Sequence, residues 1–156
     1  LHHGLMKRFG STSIILTGGV DDIWQNTLNG KLVVVDYKSQ ANTKSLDPES
    51  YLSDAYKTGY KIQMDFYAYL LQQMGFEVED TAYFLVCNAD RNAGGFYGTM
   101  AFSETFIPYH WKSDWIHDKV EEMIDLLNSN TVPQAHPSCK NCAYVMQRAE
   151  YEILKS

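Results

Sequence analysis

Basic residues are scarce in this chain. Thirteen lysines and arginines stand against nineteen aspartates and glutamates, for a formal charge of −6. That balance argues against a surface coated in positive charge, so any nucleic-acid contact must come from a few locally placed cations. Cysteine is also rare: Cys87, Cys139 and Cys142 cannot build the disulfide framework of a small secreted domain. No apolar run approaches the roughly 20 residues of a membrane span. The opening "LHHGLMKRFGSTS" lacks the apolar segment of a secretion signal. Repeats and low-complexity tracts are absent, which sets aside solenoids and disordered linkers. A soluble protein in a cytoplasmic setting, without a membrane partner, is the expectation.

What the chain has is enough material for one core. Its 156 residues, 45% of them apolar, suit a single domain over 1–156 with a tail over 129–156. Ser13 to Thr17 is β-rich, and "TGGVDDIWQ" continues it less regularly. "KLVVVDYKS", Lys31 to Ser39, is apolar on both faces, which suits a central strand. Asn29-Gly30 between these runs predicts a two-residue hairpin turn, because both residues tolerate positive φ. Ala41 to Leu46 reads as loop. Asp47-Pro48 predicts a helix start, and the helix is expected to run to Met74, bent near Gly59, before stopping at Gly75. Thr81 to Asn88 reads as a strand, and Phe96 to Pro108 as one or two more. A helix from Asp114 to about Asn128 would bury Ile116, Val120, Met123, Ile124 and Leu127. The order suits an α/β fold with a mixed central sheet flanked by helices.

The hairpin carries acids where a sheet protein would carry apolar residues. A turn at Asn29-Gly30 pairs Leu28 with Lys31 and, continuing outward, Asp21 with Lys38, leaving Asp36 diagonal to Asp21. Opposed residues share a face, as do residues two apart on one strand, so the three charges converge. Two readings are open. In one, Lys38 simply neutralises one aspartate in a buried salt bridge, which leaves a carboxylate over. Alternatively Asp21 and Asp36 hold a divalent ion, where hard oxygens with open water positions suit Mg²⁺ or Mn²⁺. Asp22 alternates to the opposite face, where it would be solvated or paired.

"GGVDDIW…KLVVVDYKS" resembles the PD-(D/E)XK nuclease superfamily, in particular its RecB-like branch, which includes CRISPR-associated adaptation nucleases. The matching positions are Gly18, Val20, Asp21 and Ile23, then Val34, Val35, Asp36, Tyr37, Lys38 and Ser39. The branch's "Q-x-x-x-Y" is met by Gln63 and Tyr67, four apart and so on one helix face. The resemblance covers about Gly18 to Leu71. It implies a restriction-endonuclease-like core and metal-dependent phosphodiester hydrolysis, with DNA as the partner in repair, recombination or mobile-element processing. Asp21, Asp36 and the backbone carbonyl of Tyr37 would hold Mg²⁺ or Mn²⁺. Lys38 would be the catalytic lysine, with Gln63 positioning it or the scissile region and Tyr67 supporting Gln63.

Two departures from the family pattern carry expectations of their own. The helix that commonly precedes the first Asp strand has no counterpart in the short stretch before Ser13. A missing N-terminal segment or a protein partner would then complete the domain, and His2 and His3 are not assigned to the site. The tail "HPSCKNCAYVMQR" resembles the C-terminal "C-x-x-C-x-Y" of relatives that bind a four-iron cluster, but two of four thiolates are lacking. Zinc with His136 is also an incomplete set. A metal-free remnant is expected, and an iron–sulfur cluster is not. Lys57 and Lys61 share a helix face and could meet phosphates, although solvated lysines are commoner. The competing functional class is a nuclease-like fold that binds nucleic acid or a protein without cleaving.

Overall fold

The computed structural model of the chain describes residues 4–43, 46–95 and 97–154; His2 and His3 lie outside them. Two compact units result, Leu1–His117 and Asp118–Ser156.

In the first unit, β1 (Gly4–Arg8) pairs antiparallel with β2 (Ile15–Gly19) as a small two-stranded sheet. The main sheet has the order β3-β4-β5-β6, with β3 (Asp22–Gln25), β4 (Leu32–Asn42), β5 (Thr81–Asp90) and β6 (Phe102–His110). Only β4 and β5 are parallel, so the sheet is mixed. A parallel pair needs a long crossover, and α1 (Thr58–Gln73) supplies it. Val33, Val34 and Val35 suit the half-extended, crowded backbone of a strand covered on both edges. Val34 and Val35 are fully buried. On β5, Ala82, Phe84, Val86 and Asn88 alternate inward. With Met64, Tyr67, Ala68, Leu70 and Leu71 of α1 and Ile107 of β6, the apolar ones form one core. Burying each larger side chain contributes about 1.5–3 kcal/mol.

Asp65 shows how a charge is accommodated beneath that helix. Its carboxylate accepts hydrogen bonds from Tyr109 Oη (2.9 Å), the Lys112 N–H (2.9 Å) and Trp115 Nε1 (3.0 Å). The three donors tie α1 to the end of β6 and the segment after it.

Several expectations are corrected. The hairpin turn is wider than two residues: Asn26 N–H bonds Lys31 O, Gly30 N–H bonds Asn26 O, and Gly30 takes φ 78°. Glu79 accounts for the wider turn, because its Oε1 accepts from both Asn26 and Asn29 Nδ2, each at 2.7 Å. Strand β4 runs on to Asn42, through residues read as loop. The helix does not start at Asp47-Pro48. Asp47 closes one turn with Tyr51 N–H and Ser50 Oγ, and "SYLSD" then favours local side-chain bonds, such as Ser53 Oγ to Ser50 O, over propagation. A 3-10 turn, Ala55–Lys57, leads into α1, and Gly59 lies in its first turn. Strand β1 was not anticipated.

The second unit contains most of α2 (Ile116–Asn128) and all of α3 (Lys140–Ile153), the latter read from sequence only as tail. Met123 and Leu127, expected on a buried face, are exposed. Cys139 and Cys142 are joined as a disulfide, and Cys87 is a half-buried free thiol. No helix among the described residues is long and apolar enough to cross a membrane.

Candidate active site

The register of β3 on β4 decides where the acids go. Asp22 pairs with Val35 and Gln25 with Leu32, a shift of two residues from the pairing expected for an Asn29-Gly30 turn. A shift of two preserves the alternation, so no side chain changes face. Continuing the ladder outward sets Asp21 across from Asp36, instead of across from Lys38. The ladder ends at Asp22, which leaves the Tyr37 N–H without a strand partner on that edge. Asp21 Oδ2 accepts it at 2.9 Å. One carboxylate is thereby fixed at the mouth of β4 by a charge-assisted bond to the backbone.

Asp36 is fully buried. Lys38 Nζ lies 2.6 Å from its Oδ2, but the pair is not aligned as a hydrogen bond. Neither Asp36 oxygen has a hydrogen-bond partner among the described residues. Burial raises the Asp36 pKa above its ordinary value, the Lys38 ammonium opposes that rise, and the Asp21 carboxylate adds to it. This differs sharply from Asp65, whose oxygens receive three donors.

From Lys38 a chain of contacts leads to the helix. Nζ donates to Gln63 Oε1 at 3.2 Å and stands 4.4 Å from the centroid of the Tyr60 ring. Gln63 Nε2 in turn donates to Tyr67 Oη at 2.8 Å, which orients the amide so that its oxygen meets the lysine. Tyr67 is held by close packing against β2. A Cβ on Gly18 would lie 2.8 Å from Tyr67 Cε1 and 2.9 Å from Cδ1, so only glycine admits the ring there. The structure thus brings Asp21, Asp36, Lys38, Gln63 and Tyr67 into one connected group.

Asp22 is on the other face, and it is paired. Its Oδ2 accepts from Tyr37 Oη (2.5 Å) and Trp24 Nε1 (2.8 Å), and these bonds, Tyr37's first, hold its pKa below the ordinary value. The Tyr37 side chain therefore belongs to that outer face, while its main chain belongs to the site. Two contributors escaped the sequence reading. Tyr60 carries Lys38 on its ring, and its place three residues before Gln63 was an available signal. Gly18 was noted as part of a motif, with no role given to it.

Two neighbouring carboxylates, one fully buried and met by a single ammonium, suit a hard divalent cation better than any apolar or anionic ligand. Compared with curated proteins and with solved structures, the chain finds no match. The sequence model of the PD-(D/E)XK nuclease superfamily matches residues 2–147. That span includes the acid-bearing hairpin, the lysine and the helix behind it, and the mixed α/β sheet is the restriction-endonuclease-like core expected of the group. The chain belongs to the PD-(D/E)XK nuclease superfamily.

Proposed function

We propose that this chain is a Mg²⁺- or Mn²⁺-dependent nuclease of the RecB-like branch that hydrolyses DNA phosphodiester bonds, acting in repair, recombination or mobile-element processing. Asp36 carries the reading: a fully buried carboxylate that meets one ammonium, Lys38 Nζ at 2.6 Å from Oδ2, has no aligned hydrogen-bond donor on either oxygen, and faces a second carboxylate. A buried charge left this way is costly unless a cation compensates it. The single ammonium of Lys38 leaves one negative charge over.

Asp21 and Asp36 would hold the ion. The Tyr37 carbonyl is the proposed third oxygen, since a strand residue directs its N–H and C=O to the same edge and the Tyr37 N–H meets Asp21. When bound, the ion would supply positive charge against a phosphate oxygen and lower the pKa of a water. The protein's own groups do the rest. Asp21 and Asp36 fix the position of that charge, and Asp21 is itself locked by the backbone of β4. Lys38, steadied by Gln63 Oε1 and the Tyr60 ring, presents an ammonium where negative charge develops on the phosphate oxygens. Gln63 and Tyr67 act as positioning residues through Lys38.

Calorimetric titration with Mn²⁺ tests the metal assignment. The parent should bind with heat that disappears in Asp21→Ala and in Asp36→Ala. An Asp21→Ala protein that binds Mn²⁺ as well as the parent would refute the assignment.

A further inference from the structure

Lys57 closes the 3-10 turn that leads into α1 and is buried, with 5% of its surface exposed. Its Nζ stands 3.1 Å from the centroid of the Tyr51 ring and 5.5 Å from that of Tyr56. Among the described residues its ammonium makes no ion pair and no hydrogen bond. Asp54 attracts it only through space, and burial lowers its pKa. The stem is covered, while the ammonium rests on the tyrosine faces with its three donors unused by protein groups and its nitrogen open to solvent. An anion arriving from solvent would find those donors available.

Its surroundings indicate which anion. Tyr60, whose ring lies 4.4 Å from Lys38 Nζ, is three residues on from Lys57 and so its neighbour on the helix surface. Tyr51, under Lys57, is close enough to Asp36 for that carboxylate to help raise its phenol, which burial above all pushes up to about 12. Two ammonium groups, each seated on a tyrosine, therefore lie near the start of α1: Lys38 against Tyr60, and Lys57 three residues before that ring. Lys38 is engaged by Asp36 and Gln63; Lys57 is engaged by neither. We infer that Lys57, on its floor of Tyr51 and Tyr56, binds a phosphate of the nucleic-acid strand next to the one that is cleaved. This rests on the nuclease reading and deepens it: Lys57 sets the path of the strand across Asp36 and Lys38 without taking part in the chemistry.

The test is fluorescence anisotropy of a labelled single- or double-stranded oligonucleotide in excess EDTA, over a range of KCl concentrations. Lys57→Met keeps the aliphatic stem on Tyr51 and removes the charge. It should weaken binding and reduce the slope of log affinity against log salt by about 0.7 for single strands or 0.9 for duplex, the loss of one phosphate contact. Lys57→Arg should restore the slope. In Mn²⁺, Lys57→Met should raise KM with kcat little changed. A folded Lys57→Met protein with the parent's affinity and slope would make Lys57 a structural cation and overturn the inference. Should Lys57→Met fail to fold, a single neutral methylphosphonate walked along the strand interrogates the parent. One flanking position with a distinct loss of binding supports the site, and a flat profile overturns it. The anisotropy is read without metal, so a parent that never cleaves would sink the nuclease reading and still leave Lys57 decided.

Discussion

Asp36 and Asp65 are both buried aspartates, and replacing each should have opposite consequences. Asp65→Ala strands the Tyr109 hydroxyl, the Trp115 indole N–H and the Lys112 amide. At about 1–3 kcal/mol per unsatisfied donor, with some recovered by water, a loss of about 3 kcal/mol or more in urea unfolding is expected. Asp36→Asn deprives no donor of an aligned partner and removes a desolvated charge that faces Asp21. In EDTA its melting temperature should equal or exceed that of the parent. Mn²⁺ at 100 times its Kd should stabilise the parent by about 2.7 kcal/mol and leave Asp36→Asn unmoved. A large drop for Asp36→Asn in EDTA would show that the carboxylate is structural.

At the scale of elements, Gly18 and Glu79 carry the geometry of the site from outside it. Gly18→Ala drives a Cβ into the Tyr67 ring and should cost about 1–3 kcal/mol in thermal unfolding through overpacking. It should also lower activity by disturbing the Tyr67–Gln63–Lys38 chain; unchanged stability and activity would contradict the close packing. Glu79 holds the hairpin turn through Asn29 and Asn26, whose bonds keep its pKa below the ordinary 4.5. A depressed acid pKa contributes stability above the unfolded value and loses it as pH falls through the folded one. The advantage of the parent over Glu79→Ala in melting temperature should therefore be full at neutral pH and shrink as pH drops below 4.5. A pH-independent difference would contradict it.

These elements also show what the sequence could reveal. The convergence of Asp21, Asp36 and Lys38 was legible because strand alternation survives a two-residue shift. The register itself was not, because Asn29-Gly30 favours a tight turn and the opposing pull comes from Glu79, some fifty residues away. Asp47-Pro48 looked like a helix start for a sound local reason, yet the following serines and aspartate spent their side chains on single turns. Lys57 was legible only as a lysine sharing a helix face with Lys61, and Tyr60 only by its spacing of three from Gln63; neither signal told that the side chain would be covered. Lys57 is covered by Tyr51, in a segment with no regular period, and Tyr60 packs against Phe84 of β5.

For the whole molecule, a net charge of −6 and a site built from carboxylates should weaken DNA binding, without abolishing it, until a cation reverses the local charge. In the tail, two cysteines fall short of the four that a cluster requires, and they are joined to each other. Purified protein should be colourless and nearly free of iron and zinc by elemental analysis. Stoichiometric metal that is lost on Cys139→Ser would overturn this. The mixed sheet flanked by helices and the acid-bearing hairpin were within reach of the sequence. Strand β1 and helix α3 were not, because their short amphipathic patterns lack caps or turns that separate them from loop.

The most direct measurement of the central claim is cleavage of end-labelled DNA by the parent and by Lys38→Ala, with Mn²⁺ and with excess EDTA. The account predicts cleavage by the parent in Mn²⁺ and none in EDTA. With Lys38 in its proposed role against charge that develops in the transition state, Lys38→Ala should turn over about 100- to 1,000-fold more slowly with DNA affinity little changed. Equal cleavage by Lys38→Ala, or cleavage in EDTA, would contradict the mechanism. EDTA-insensitive binding with no cleavage in any metal would mark the chain as a nuclease-like binding module instead.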